Sequence, residues 1–308
     1  MRYAVLFPGQ GSQHVGMGAD VFATRPDLLG SAADEILGWS LAGVCGDGPE
    51  AELVRTDRAQ PALYGVSYAL WEAFAVRVGH QPIAAAGHSV GEYAALAAAG
   101  VLDYLAGLRL VAARGAAMAK AAGETAGTMA AVIGAEIATI EEVVARLRNQ
   151  GEAIWVANVN APGQVVVGGT SEAVERLGEN AGEYGLRRVI PINVSGAFHT
   201  PLMASARAEL DRALADTTFY SGHFPVWSNL KAAPTSDPAR ALSGQLSGTV
   251  RFAESLEAMS QAGVQAFVHI GPGDVTAALA KRTIRDAIVI TVSSLDHIEA
   301  AVAQLTAG

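Results

Sequence analysis

A single cysteine, Cys45, stands among the 308 residues of the chain. It excludes an internal disulfide framework and suits a reducing compartment. Basic residues are also scarce: 21 Lys and Arg against 30 Asp and Glu leave a formal net charge of −9. A broad nucleic-acid surface needs clustered cations, so none is expected, although a local basic patch stays open. No apolar run approaches the roughly 20 residues a membrane helix requires, and the stretch at 94–102 is far shorter. The apolar run of MRYAVLFPGQGSQ is too short for a signal-peptide core and reads as a first buried strand. H-E-x-x-H and paired C-x-x-C spacings are missing, which leaves a metal site without support. These absences, with 51% apolar and 17% charged residues, describe a globular chain expected to be soluble and cytoplasmic, with a sizeable core.

What is present is an α/β rhythm. Tyr3–Phe7 reads as a strand ending in Pro8-Gly9-Gln10-Gly11, and residues 61–79 carry apolar positions at helical spacing, with Pro61 suited to a helix start. Ile83–Ala86 reads as a short strand, followed by a turn at Gly87–Gly91, a helix from about Glu92 and a second helix through Arg114. From about 128 the order becomes βαββαβ: strand 128–134, helix 139–149, strands 154–158 and 164–168, helix 171–185 capped by Ser171, and strand 188–194. That order is the ferredoxin-like unit. After it the spacing predicts helix 201–215, strand 225–228, helix 252–262, strand 266–270, a turn at Gly271–Gly273, a helix to Arg285 and a strand near 288–292. The expected architecture is α/β, with a main domain at 1–127 and 198–308 and an inserted small subdomain at 128–197.

Within this order lies G-H-S-V-G at 87–91, a serine in G-x-S-x-G between a buried strand and a helix. Alone, both glycines can serve the turn and Ser89 can cap the helix. The strand–turn–helix context raises a second reading, a nucleophile whose oxyanion rests on amides at a helix N-terminus. A serine needs a base, usually histidine. His199, where a strand ends in NVSGAFHTPLM and Pro201 opens a helix, is a modest favourite over His88, which adjoins the serine on a sharp turn where neighbouring side chains rarely face each other. PGQGSQ at 8–13 lacks the endings of phosphate-binding loops; it either closes the strand or lies over the elbow and supplies an oxyanion donor.

These residues resemble a family, the malonyl-CoA:acyl-carrier-protein transacylases and the acyltransferase domains of polyketide synthases. FPGQGSQHVGMG at 7–18, QPALY at 60–64, GHSVGEYAALAAAGVL at 87–102, LRLVAARGAAM at 108–118, MAAVIG at 129–134, ANVNAPGQVVVGG at 157–169, GAFHTPLM at 196–203 and GPGDVTAAL at 271–279 look like its blocks, in order. The resemblance implies an α/β-hydrolase-like main domain carrying the ferredoxin-like insert. It implies a Ser89–His199 dyad, oxyanion donors from the amides of Gln10 and Val90, and Arg114 as the ligand of the malonyl carboxylate. The histidine would be oriented by a backbone carbonyl near Val250 and Arg251, in SGTVRF at 247–252, which departs from the family's S-P-V-R-W at Thr249 and Phe252. Val90 and Phe198 match the malonyl type of the family rather than the methylmalonyl type. No metal or redox cofactor is implied. The partners implied are malonyl-CoA and an acyl carrier protein, in fatty-acid or polyketide synthesis, with the enzyme a monomer that binds neither nucleic acid nor membrane. The basic cluster Lys281, Arg282 and Arg285 is the expected carrier-protein docking site, against the plainer reading of a solvated helix face. The rivals are transfer of another extender unit or a larger acyl chain, an acyl hydrolase clearing stalled carrier proteins, and an inactive paralogue that only docks a carrier protein.

Overall fold

Tyr3-Ala4-Val5-Leu6-Phe7 is apolar at every position and forms strand β1 with every residue buried, the pattern of a strand covered on both faces. The structure, a computed structural model, describes residues 1–307. The further strands are β2 (Ala84–Gly87), β3 (Thr128–Ile133), β4 (Ile154–Ala161), β5 (Gln164–Gly169) and β6 (Arg188–Ile192). They are followed by β7 (Val226–Ser228), β8 (Ala233–Pro234), β9 (Val250–Arg251), β10 (Ala266–Ile270) and β11 (Ile288–Val292). Two sheets result. One has the order β11-β10-β1-β2-β7-β8 and is parallel except at β8. The other has the order β6-β3-β5-β4-β9, antiparallel through β4 and parallel between β4 and β9.

Alternation along β1 sends its side chains to two cores. Tyr3, Val5 and Phe7 share one with Leu63, Val66, Leu70 and Phe74 of helix Thr56–Val78. Ala4 and Leu6 share the other with Phe252, Leu256 and Met259 of helix Phe252–Gln261. Each large side chain so buried contributes about 1.5–3 kcal/mol. The second sheet packs on helices Ile137–Asn149 and Ser171–Glu179, through Ile140, Val144, Leu147, Val174 and Leu177. Among the described residues, no helix is long and apolar enough to cross a membrane.

Several element boundaries differ from the sequence reading. Pro61 lies inside helix Thr56–Val78 rather than at its start. The first turn packs closely on helix Tyr104–Glu124, where a Cβ at Gly115 would meet Thr56 O at 2.9 Å. The cap of helix Ser171–Glu179 is Thr170, whose hydroxyl accepts from the Ala173 amide, and not Ser171. Helix Val275–Thr283 ends before Arg285, with Ile284 already extended. Sequence reasoning assigns no element to 229–249, where helix Pro238–Ser247 lies.

Candidate active site

The turn after β2 is forced by its glycines. A Cβ on Gly87 would fall 1.9 Å from the Gly91 carbonyl carbon, and one on Gly91 would fall 2.3 Å from Phe7 O. Only glycine fits either place, and the close return leaves Ser89 at φ 52, in the left-handed region. Three buried hydrogen bonds hold the strained residue. The Ser89 amide donates to Asn229 Oδ1 (2.8 Å), Asn229 Nδ2 donates to Gly87 O (2.7 Å), and Gln245 Nε2 donates to Ser89 O (2.9 Å).

His199 meets this elbow from the segment before the 3-10 turn Pro201–Met203, and it too has a positive φ of 59. Its Nδ1 lies 2.8 Å from the carbonyl oxygen of Gln245, and its Nε2 lies 2.8 Å from Ser89 Oγ. A carbonyl only accepts, so Nδ1 carries the proton and Nε2 is free to accept from the serine hydroxyl. The orienting carbonyl is therefore that of Gln245, in helix Pro238–Ser247, and not one near Val250 or Arg251. Those residues instead pair with β4 at the edge of the second sheet. Burial and the Arg114 charge pull the His199 pKa down to about 3, which keeps the imidazole neutral, with Nε2 unprotonated.

Arg114 is 1% exposed and so does not lie on a solvated helix face. Its Nη1 donates to Gln60 Oε1 (2.6 Å), and its Nη2 donates to Gln245 Oε1 (3.0 Å) and to Ser89 Oγ (3.1 Å). Its Nε–H has no hydrogen-bond partner among the described residues. Glu92 is buried nearby; its Oε2 accepts from the Asn229 amide (3.0 Å) and Gln245 Nε2 (2.8 Å). Burial pushes its carboxyl up to about 7. Gln245, Asn229, Gln60 and Glu92 escape sequence reasoning, though Gln60 and Glu92 stand inside quoted blocks.

The cleft over Ser89 has a volume of about 680 Å³ and is lined in part by Gln10, Met118, Asn160, Phe198 and His199. The loop carrying Gln10 presses on the elbow, since a Cβ on Gly9 would meet His88 O at 2.5 Å. Among the described residues, nothing accepts a hydrogen bond from the amides of Gln10 or Val90. The Val90 and Phe198 side chains both belong to the core, and Phe198 also lines the cleft. His88 is turned to Asn160 Oδ1 (2.7 Å) and packs edge-on against Phe252. Lys281 and Arg282 are exposed on helix Val275–Thr283, Arg282 reaching Pro162 O (3.2 Å), and Arg285 lies past the helix end. None of the three lines the cleft. Among the described residues, no group of His, Cys, Asp and Glu side chains could hold a metal ion.

The buried titratable groups give a stability prediction with a definite sign. Burial lowers His88 and takes His199 and His269 from 6.5 to about 3 and about 4. Below 6.5 the unfolded chain binds protons that these imidazoles refuse, so the stabilisation is full above that value and is lost as pH falls. Glu92 acts in the opposite sense, between its ordinary 4.5 and about 7, but one carboxyl is outweighed by three imidazoles. The melting temperature is expected to drop as pH is lowered from about 7 to about 5; a rise over that interval contradicts the burial of these neutral imidazoles.

An α/β core, a strained serine elbow and a neutral histidine within hydrogen-bond reach define the class of serine-dependent acyl-transfer enzymes. The family model for the acyl transferase domain matches residues 5–303. The chain belongs to that family. It is 38% identical to the malonyl CoA-acyl carrier protein transacylase of Bacillus subtilis, over 99% of this chain and 97% of that protein. The crystal structure of an acyl carrier protein S-malonyltransferase from Vibrio cholerae superposes with a TM-score of 0.91 at 39% identity, over 97% of this chain and 99% of that one. A malonyl-transacylase solved in complex with its type II polyketide-synthase acyl carrier protein gives 0.93 at 35% identity, over 99% and 100%.

Proposed function

We propose that this enzyme moves a malonyl group from malonyl-CoA to the phosphopantetheine thiol of an acyl carrier protein by way of a malonyl-serine ester. Ser89 Oγ attacks the thioester carbonyl as its proton passes to His199 Nε2. The oxyanion is received by the amides of Gln10 and Val90, the C–S bond breaks, and the CoA sulfur takes the proton from His199. The carrier thiol then gives its proton to His199 and attacks the ester, and Ser89 Oγ leaves with that proton. Gln245 fixes the tautomer through its carbonyl and holds Arg114 and the elbow through its amide.

The observation that carries the malonyl assignment is the buried Arg114 guanidinium, to which no carboxylate among the described residues is hydrogen-bonded, 3.1 Å from Ser89 Oγ. In a malonyl-serine ester the free carboxylate carbon is three bonds from Oγ, so a short diacid reaches that guanidinium and a neutral acyl group does not. The pair is bidentate by nature. In Arg114→Ala the malonyl carboxylate is left desolvated and unpaired, at about 2–5 kcal/mol. Its acylation by malonyl-CoA is expected to fall by roughly 30-fold to several thousandfold, while acetyl-CoA loses little or gains. Equal losses for both thioesters in single-turnover acylation would make Arg114 a structural residue. Phe198, on the cleft wall, adds at most about 1–3 kcal/mol against an α-methyl group.

At the level of the fold, we read the six-stranded sheet with its serine elbow as α/β-hydrolase-like, and β3 to β6 with their two helices as ferredoxin-like. The strand order β6-β3-β5-β4 and its antiparallel pairing support the second description. The subdomains would be 1–127 with 198–308, and 128–197, joined where β9 adds a fifth strand to the smaller sheet. Lys281 and Arg282 remain the proposed carrier-protein contact, with Arg285 beside them beyond the helix. Carrier proteins are acidic as a rule, and a chain of net charge −9 needs a local basic face to meet one. Lys281→Glu with Arg282→Glu is expected to raise KM for the carrier protein at low salt, where such contacts are least screened, and to leave malonyl-CoA labelling unchanged. An unaltered KM would remove the pair from docking.

A further inference from the structure

Among the described residues, no carboxylate is hydrogen-bonded to the buried Arg114 guanidinium. Its partners are two amide oxygens and the serine hydroxyl; the nearby Glu92 carboxyl acts on it only through space, its Oε2 being hydrogen-bonded to the Asn229 amide and the Gln245 side chain. His199 likewise has a neutral partner on Nδ1, the Gln245 carbonyl, where Ser-His-acid sites place a carboxylate that stabilises the imidazolium. When Ser89 gives up its proton, an imidazolium must therefore form in the interior with a second cation only one oxygen away, at 2.8 Å and 3.1 Å from Oγ. Like charges in a poorly screened interior oppose each other strongly. The Arg114 N–H also occupies the serine oxygen that has to attack.

We propose that the carboxylate of the acyl group is the missing acid of this site: by pairing with Arg114 it cancels the cation that opposes a proton on His199 and draws the guanidinium away from Ser89 Oγ. This rests on the malonyl reading above and deepens it. Arg114 then selects its substrate through the rate of the chemical step as well as through binding, and the free enzyme holds its serine in a subdued state towards neutral thioesters. The depressed pKa of His199, to which the Arg114 charge contributes, is in keeping with that state.

Chemical complementation separates this role from simple affinity. Acetyl-CoA lacks the carboxylate, and formate supplies one that can enter beside the acetyl methyl group. In rapid-quench acylation of wild-type enzyme at saturating acetyl-CoA, formate is expected to raise the acylation rate constant saturably by roughly tenfold, the kinetic equivalent of one pKa unit of opposing charge removed. Sodium chloride at equal ionic strength should have no such effect, and Arg114→Ala should acylate with acetyl-CoA at a rate indifferent to formate. A wild-type rate constant that formate leaves unchanged or lowers, while malonyl-CoA still labels Ser89 rapidly, overturns the charge-completing role and leaves the malonyltransferase reading in place. Failure of malonyl-CoA itself to label Ser89 overturns both. The wild-type arm decides the matter even where Arg114→Ala does not fold.

Discussion

Ser89→Ala is expected to abolish covalent labelling by malonyl-CoA and to lower transfer to the carrier protein by about 10⁶-fold, the scale seen when a serine nucleophile is removed from a site acting as a unit. The fold should survive. The backbone bonds of residue 89 to Asn229 and Gln245 do not involve Oγ, and alanine is smaller than the serine it replaces. What is lost is the hydroxyl between His199 and Arg114. Mass spectrometry of the intact protein after mixing with malonyl-CoA should show one malonyl group on wild type and none on the variant, with melting curves within a few degrees of each other. A variant that still acquires the acyl group, or transfers it at a tenth of the normal rate, would place the nucleophile elsewhere.

His199→Ala is expected to slow acylation by about 10³–10⁴-fold, near the upper end of what a positioned acid–base group contributes. An unassisted serine is a poor nucleophile at neutral pH, and no second imidazole stands ready. His88 adjoins Ser89 in the chain, but its Nε2 is engaged by Asn160 and its ring is packed on Phe252. Loss of the ring also leaves the Gln245 carbonyl with only the longer bond from the Gly248 amide (3.4 Å) and removes the partner that aims the Ser89 hydroxyl. Rapid-quench labelling measures the effect directly. Labelling within tenfold of wild type would mean that another group accepts the proton, and His88→Ala in the same background would then identify or exclude the neighbouring imidazole.

The longer strands and the serine elbow are legible because they are local, with an unbroken apolar run, a glycine on each side of Ser89 and a helix beyond; the two-residue strands β8 and β9 are not. Nor is Gln245. It acts through a backbone carbonyl and an amide side chain, neither of which requires a recognisable neighbourhood in the chain, and it reaches the site from a helix with no motif of its own. The expectation of a carbonyl near Val250 or Arg251 came from a stretch that the fold uses for sheet pairing instead. Arg114 illustrates the intermediate case. Its helix was evident, but only tertiary packing buries it under the serine, where periodicity alone allows a solvated position. The short helices between Ala19 and Leu53, four to seven residues each, fall below the length at which hydrophobic periodicity can be read. Residues that stabilise the elbow from far along the chain, Asn229 and Gln245, belong to the same class of silence.

The direct test of the acyl-enzyme mechanism is to map the site of acylation and follow its fate. Enzyme mixed with malonyl-CoA, quenched in acid and digested, should yield a single malonylated peptide with the group on Ser89. Addition of carrier protein bearing its phosphopantetheine thiol before the quench should discharge that group onto the thiol far faster than water removes it. A malonyl group on any other residue, or an ester on Ser89 that water clears as fast as the carrier protein does, would contradict the transferase mechanism.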